Sequence, residues 1–143
     1  MFLDASAVVA IIDREPGYES LLERIHGSPT RLHFSPVSRF EAIFALARIL
    51  AGKHRSATPQ EVDNVAALVD GFFAQVGAHH LDLTAAISLG AQQAAQTYGR
   101  CVGHPAALNL GDCFAHACAK ATGVGLIYKG EDFGKTDMAA VPM

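Results

Sequence analysis

Residues 1–12 read MFLDASAVVAII, and this stretch decides the fold class. It is predicted to form a short buried strand at about residues 2–4, followed by a helix at about residues 6–14. Asp4 is the one charged residue in the stretch and lies at the junction of the two elements. Because burying an unpaired carboxylate is costly, we expect Asp4 either to cap the helix or to take part in chemistry.

The composition is that of a folded protein rather than a disordered one. The chain has 143 residues, of which 50% are hydrophobic and 17% are charged, so we expect a single domain over residues 1–143. The formal net charge is −3, without the basic balance that is typical of nucleic-acid-binding domains. A phosphate-bearing substrate would therefore need a local basic patch or a metal ion.

Neither targeting signals nor disulfides are predicted. Asp4 and Asp13 interrupt the first apolar run, no basic segment precedes it, and no run is long enough to span a membrane. The cysteines Cys101, Cys113 and Cys118 lack CxxC spacing, and their odd number argues against a disulfide framework. We expect a protein of the reducing cytoplasm, with Cys113 and Cys118 acting as small hydrophobic residues of a helix.

Strands and helices alternate along the chain. Strands are predicted at residues 31–34, 80–83 and 126–128, and a last short one near residues 139–141. Helices are predicted at residues 18–26, from 36 to the glycine at 52, from the capping box at 58–61 to about 73, from the cap at 84 to 98, and from 111–112 to the glycine at 123. This order predicts an α/β fold with a short, mainly parallel sheet covered by helices on both faces.

Four acidic residues lie at comparable junctions of this order. Asp4 and Asp132 follow strands, Glu41 lies in the first turns of the helix after the second strand, and Asp112 starts the helix before the fourth. Because ligands bind such sheets beyond the carboxyl ends of the strands, we expect the four side chains to converge. Mg²⁺ prefers oxygen ligands, and Mn²⁺ can substitute for it. Because the motifs supply carboxylates and no histidine ligand, they favour Mg²⁺ over Zn²⁺. With a metal bound, the cluster could activate a water molecule and stabilise the charge of a phosphoryl transition state.

Each acid also has a purely structural explanation. Glu41 could close a capping box with Ser38, although Ser35 competes with Ser38 as the start of the helix. Asp112 could be a simple N-cap, and Asp132 an ordinary residue of a glycine-flanked turn. Four separate coincidences at four strand ends are less plausible than one shared cause, so we favour the metal site.

Three motifs, in this order and spacing, resemble the PIN-domain family, and in particular the VapC toxins of bacterial type II toxin–antitoxin modules. They read MFLDASAVVAII at 1–12, SRFEAIFALARIL at 38–50 and LNLGDCFAHACAKATGVGLIYKGEDFGKTD at 108–137. The resemblance covers nearly the whole chain. It implies a PIN-like three-layer fold and a Mg²⁺-dependent endoribonuclease that cuts single-stranded or loop RNA. It also implies a cognate VapB-type antitoxin and a homodimer.

The resemblance further implies roles for the acids. Asp4 and Asp112 would be the principal metal ligands, and Glu41 would complete the cluster directly or through water. Asp132 would be the fourth acid. Many relatives carry that acid two residues earlier, and Asp137 is a competing candidate.

Other polar residues lie close to these motifs. Ser6 resembles the small hydroxyl residue that supports the site in this family. His116, one turn after Asp112, could face the metal or a phosphate, although such a histidine is more often buried and hydrogen-bonded. A basic region along and after the Glu41 helix is either a solvated face or a contact for phosphate or antitoxin; it comprises Arg39, Arg48, Lys53, His54 and Arg55.

Two other functions stay open. A haloacid-dehalogenase-type phosphatase also starts with an apolar strand that ends in aspartate, but it needs a second aspartate where this chain has Ser6. A non-catalytic PIN-type binding module would be expected to have lost acids, whereas Asp4, Glu41 and Asp112 are all present.

Overall fold

Four parallel strands form the central sheet of the computed structural model, which describes residues 1–140. The strands are β1 (Phe2–Leu3), β2 (His33–Phe34), β3 (His79–His80) and β4 (Leu126–Ile127). They lie in the order β3-β2-β1-β4, with β1 paired to β2 on one side and to β4 on the other. Each strand is shorter than predicted, and β3 begins one residue earlier.

The described chain also contains six α-helices and three short 3₁₀ segments. The helices are α1 (Ala5–Ile12), α2 (Tyr18–His26), α3 (Pro36–Ala51), α4 (Pro59–Gln75), α5 (Ala85–Tyr98) and α6 (Leu110–Thr122). The 3₁₀ segments are Arg100–Val102, Phe133–Lys135 and Asp137–Ala140. The strand predicted near residues 139–141 is therefore wrong for residues 139 and 140, and residue 141 lies outside the described residues.

Each face of the sheet carries its own hydrophobic core. Leu3 and Ile127 are buried against helices α1 to α4, whereas Phe2 and Leu126 are buried against α5 and α6. Successive residues of a strand point to opposite faces, so even a two-residue strand contributes one side chain to each core. The result is three layers, which confirms the predicted α/β fold.

The start of α3 determines what Glu41 can do. The Ser35 hydroxyl accepts the Ser38 backbone N–H at 3.2 Å, and the Ser38 hydroxyl accepts the Ser35 N–H at 2.8 Å. This reciprocal capping box begins the helix at Pro36, the first helical position, where proline fits. Glu41 therefore takes no part in capping, and its side chain is available for a role at the carboxyl end of the sheet.

The described residues bear on two further predictions. No helix within residues 1–140 is long and apolar enough to cross a membrane. Cys113 and Cys118 are free and buried in the core that contains α6, as predicted, and Cys101 is free and exposed.

Candidate active site

A cleft opens at the carboxyl ends of β1 and β4. The chain leaves β1 toward β2 on one side and returns to β4 on the other, and open α/β sheets bind ligands at such a switch point. The cleft is lined by Asp4, Ala5, Ser6, Val9, Glu15, Glu41, Phe44, Ala45, Arg48, Asn109, Asp112, Lys129 and Gly130. Three of the four predicted acids are thus brought together.

Asp4 lies at the floor of the cleft, directly after β1, and is only 3% exposed. Its Oδ2 accepts the Ser6 backbone N–H at 3.0 Å and the Ser6 hydroxyl, so Asp4 is the N-cap of α1. The helix consequently begins at Ala5 and ends at Ile12, not at the predicted residues 6 and 14. Burial raises the pKa of Asp4 although the Ser6 hydrogen bonds oppose the rise, and no basic side chain of residues 1–140 pairs with it.

Ser6 connects the two strand ends that form the cleft. Its hydroxyl donates to Asp4 and accepts the Lys129 backbone N–H at 3.0 Å. The Lys129 ammonium is held by Glu15 Oε2 at 2.6 Å and by the Pro16 carbonyl at 3.1 Å. Ser6 therefore orients the Asp4 carboxylate and ties it to the segment that follows β4.

Glu41 approaches α6 from the second turn of α3. A Cβ added to Gly111 would lie 1.9 Å from Glu41 Oε2 and 2.0 Å from Oε1, so only glycine leaves room for this carboxylate. Burial, followed by the charges of Asp4 and Asp112, raises the pKa of Glu41 to about 7. Glu41 is therefore close enough to Asp4 and Asp112 to feel their charges, and within residues 1–140 it forms no ion pair.

Asp112 lies in the first turn of α6, where it also has a capping role. Its Oδ2 accepts the Asn109 N–H at 2.9 Å, and Asn109 Oδ1 accepts the Asp112 N–H at 2.9 Å. The helix therefore begins at Leu110, not at 111–112, and Asp112 closes a capping box instead of being the N-cap. Burial, with smaller effects from the charges of Asp4 and Asp132, raises the pKa of Asp112 to about 6 against the Asn109 hydrogen bond.

Asp132 and Asp137 lie in different places. Asp132 is exposed in the segment after β4 and does not line the cleft, but its charge contributes to the raised pKa of Asp112. Asp137 Oδ1 is 2.7 Å from His116 Nε2, and its Oδ2 accepts from Lys120 Nζ at 2.6 Å. These three residues line a separate groove between α5 and α6, so Asp137 and His116 are not brought to the cleft.

Comparison with known proteins decides the family. Residues 1–138 match the family model of the PIN domain. The chain belongs to the PIN-domain family. A VapC ribonuclease of Rhizobium meliloti is 43% identical over 139 residues, which is 96% of this chain and 98% of the relative. Ribonuclease VapC42 of Mycobacterium tuberculosis is 36% identical over 138 residues, 96% of each chain. The resemblance to the VapC ribonucleases is thereby confirmed.

A solved structure agrees with this PIN-domain fold. It is a Mycobacterium tuberculosis VapC toxin described as cleaving the sarcin–ricin loop, and it matches with a TM-score of 0.65 over 93% of this chain and 92% of that chain. The two sequences are 15% identical, so the likeness supports the fold alone.

The chemistry of the PIN-domain cleft fits a hard divalent cation. Within residues 1–140, no three histidine, cysteine, aspartate or glutamate side chains already stand as a metal-binding group. The acids nevertheless gather in one cleft, where burial raises the pKa values of all three and the charges of neighbouring carboxylates raise those of Glu41 and Asp112 further. A divalent cation bound by carboxylate oxygens removes that repulsion, and Mg²⁺ and Mn²⁺ are the ions that favour such ligands.

Two residues of this PIN-domain site were missed in the sequence. Asn109 holds Asp112, and Gly111 makes room for Glu41. For Gly111 a signal was present, because a glycine inside a predicted helix start costs about 1 kcal/mol relative to alanine and asks for a packing reason. For Asn109 the spacing Asn-x-x-Asp matched a capping box that begins two residues before position 111, where the helix was predicted to start.

Proposed function

We propose that this protein is the toxin of a type II toxin–antitoxin module and acts as a Mg²⁺-dependent endoribonuclease on RNA phosphodiesters, with Mn²⁺ able to substitute. The main support is that Asp4, Glu41 and Asp112 converge at the carboxyl end of β1 in a VapC-family PIN domain. The site of action would be the cytoplasm, where both RNA and antitoxin are present.

The side chains would divide the work as follows. Asp4 and Asp112 would hold the cation, Glu41 would complete its ligands directly or through water, and Asp132 would add negative charge from the rim. When bound, Mg²⁺ supplies Lewis-acid stabilisation of the charge on the reacting phosphate and lowers the pKa of water. Ser6 keeps the Asp4 carboxylate oriented by its hydroxyl hydrogen bond.

Glu41 has a further property that suits hydrolysis. Its pKa of about 7 lets its carboxyl group take up or release a proton close to neutral pH in the metal-free protein. Cation binding would favour the ionised form. Glu41 is thus placed to accept a proton from water within the cleft.

The proposal is tested by incubating total cellular RNA with the purified protein in Mg²⁺, in EDTA, and with the Asp4→Asn variant. Discrete products are expected only for the wild type in Mg²⁺. Asp63→Asn is the matched control, because Asp63 is exposed on α4 and lies outside the cleft. Cleavage that persists in EDTA or in Asp4→Asn would contradict the assignment, whereas no cleavage by a chain that still binds its antitoxin would favour a non-catalytic module.

A cognate VapB-type antitoxin would inhibit the enzyme from the same cleft. The uncompensated charge of Asp4, Glu41 and Asp112 favours a peptide that inserts a basic side chain between them. The homodimer that the family resemblance implies stays a prediction, and the mass of the purified chain measured by light scattering tests it.

A further inference from the structure

An exposed ridge of two aromatic rings and an arginine leads out of the cleft along α3. Phe40 is 65% exposed and Phe44 is 56% exposed, although large apolar side chains are normally turned inward. The two rings are nearly parallel, with an interplanar angle of 14° and centroids 6.2 Å apart. The Arg48 guanidinium carbon lies 5.7 Å from the centroid of the Phe44 ring. The spacing 40, 44, 48 puts all three on one side of the helix.

This ridge is continuous with the acid cluster. Phe44 and Arg48 line the cleft together with Glu41, and both also line the neighbouring groove that continues to Lys53. An RNA chain with one phosphate at the three acids would therefore pass next to the Phe44 ring.

Arg48 differs from the two other arginines of this region. Arg39 is paired with Asp70 at 2.6 Å, and Arg55 with Glu61 at 2.8 Å. Arg48 forms no ion pair within residues 1–140. In a chain of net charge −3, it is the cation at the cleft whose charge is available to a phosphate.

We propose that Phe40, Phe44 and Arg48 form a nucleotide subsite for single-stranded RNA beside the reacting phosphate, in which a base stacks on the Phe44 ring and Arg48 contacts a flanking phosphate. Aromatic faces bind unpaired bases without sequence preference, and an arginine beside them adds the charge contact. The inference rests on the proposed ribonuclease function. The negatively charged acids of the cleft repel RNA phosphates in the absence of a cation. The ridge would supply the favourable contacts with RNA.

The test compares steady-state cleavage of one unstructured oligoribonucleotide by wild type, Phe44→Leu, Phe44→Tyr and Arg48→Gln. Phe44→Leu is expected to raise KM about tenfold with little change in kcat, and Phe44→Tyr is expected to restore the wild-type value because a ring is present again. Arg48→Gln should also raise KM, and should reduce the dependence of log KM on log salt by roughly 0.7, the effect of one lost phosphate contact on a single strand.

Two exposed residues provide matched controls. Leu89 on α5 is 54% exposed and outside the cleft, and Arg31 precedes the amino end of β2, whereas the cleft opens at the carboxyl ends of the strands. Leu89→Ala and Arg31→Gln are expected to keep the wild-type KM. Thermal melting of every variant shows whether it is folded.

The outcomes separate this inference from the function on which it rests. If the wild type cuts no RNA, the proposed function has failed. If the wild type cuts RNA and Phe44→Leu and Arg48→Gln keep its KM and salt dependence, the subsite is wrong. If those variants cut normally but lose antitoxin binding or change the mass of the protein in solution, the ridge is a protein-binding surface and the RNA subsite is likewise overturned.

Discussion

The carboxylate of Glu41 occupies the space in which a side chain at Gly111 would begin. The two residues come from α3 and α6, which belong to the cores on opposite faces of the sheet. Their contact therefore joins the two helix layers at the carboxyl end of the sheet, beside the cleft. The end of a glutamate side chain can move, so a larger residue at 111 would displace Glu41 and leave the fold intact.

The Gly111→Ala variant is expected to lose most RNA cleavage and to keep or raise its melting temperature, because alanine favours a helix by about 1 kcal/mol over glycine. Gly71→Ala on α4 is the control, since a Cβ there meets nothing within 4 Å. Both variants should gain helix stability, but only Gly111→Ala should lose kcat. A Gly111→Ala enzyme with wild-type kcat would show that the position of Glu41 does not matter.

The Glu41→Gln variant should change how the stability of the metal-free protein depends on pH. The pKa of Glu41 is raised from 4.5 to about 7 in the folded chain, so its contribution to stability is present below pH 4.5 and is lost as the pH rises through 7. Glutamine removes that loss. After a discount for partial exposure, Glu41→Gln should be about 1–2 kcal/mol more stable than wild type at pH 8 and equal to it near pH 4.

Urea unfolding in EDTA at the two pH values measures this difference. A stability difference that is the same at both would mean that folding does not raise the pKa of Glu41.

Cation binding should stabilise the fold independently of any RNA. Mg²⁺ or Mn²⁺ at a hundred times its Kd adds about 2.7 kcal/mol if it binds only the folded chain. The melting temperature of the wild type is therefore expected to rise with Mn²⁺ and to fall back with EDTA. The variant carrying both Asp4→Asn and Asp112→Asn should melt at one temperature throughout, and an equal rise in this variant would place the cation elsewhere.

Asp132→Asn and Asp137→Asn are expected to have opposite effects. Asp132 is exposed, and its charge affects Asp112, so its loss should reduce cleavage with little change in melting temperature. Asp137 binds Lys120 and the buried His116, and these hydrogen bonds lower its pKa despite burial. Its loss should cost about 1 kcal/mol of stability and leave kcat unchanged. A larger loss of kcat in Asp137→Asn would reverse our choice of the fourth acid.

Helix positions were predictable where the signal is local. The bounds of α2 match the prediction, α3 begins at the proline after Ser35, and α5 begins after the cap Thr84. Strand lengths were not predictable in the same way, because two-residue strands are defined by pairing between distant segments.

Some of the acids were predictable from the sequence and others were not. Asp4, Glu41 and Asp112 were found because parallel strands end at one edge of a sheet, a rule that needs only the order of elements. Asp132 and Asp137 could not be separated in the sequence, because their places depend on the path of the chain after β4. Asp4 was expected to be either a cap or a chemical group, and it caps α1 with one oxygen while facing the cleft.

The hydrogen bond between Ser6 and Lys129 spans 123 residues of sequence. One edge of β1 likewise has no partner until β4 has left the ribosome, and Asp112 is synthesised after Asp4 and Glu41. An unfinished chain can hold Asp4 and Glu41 but cannot assemble the cleft. For a protein proposed to destroy RNA, this topology makes activity depend on the synthesis of α6 and β4.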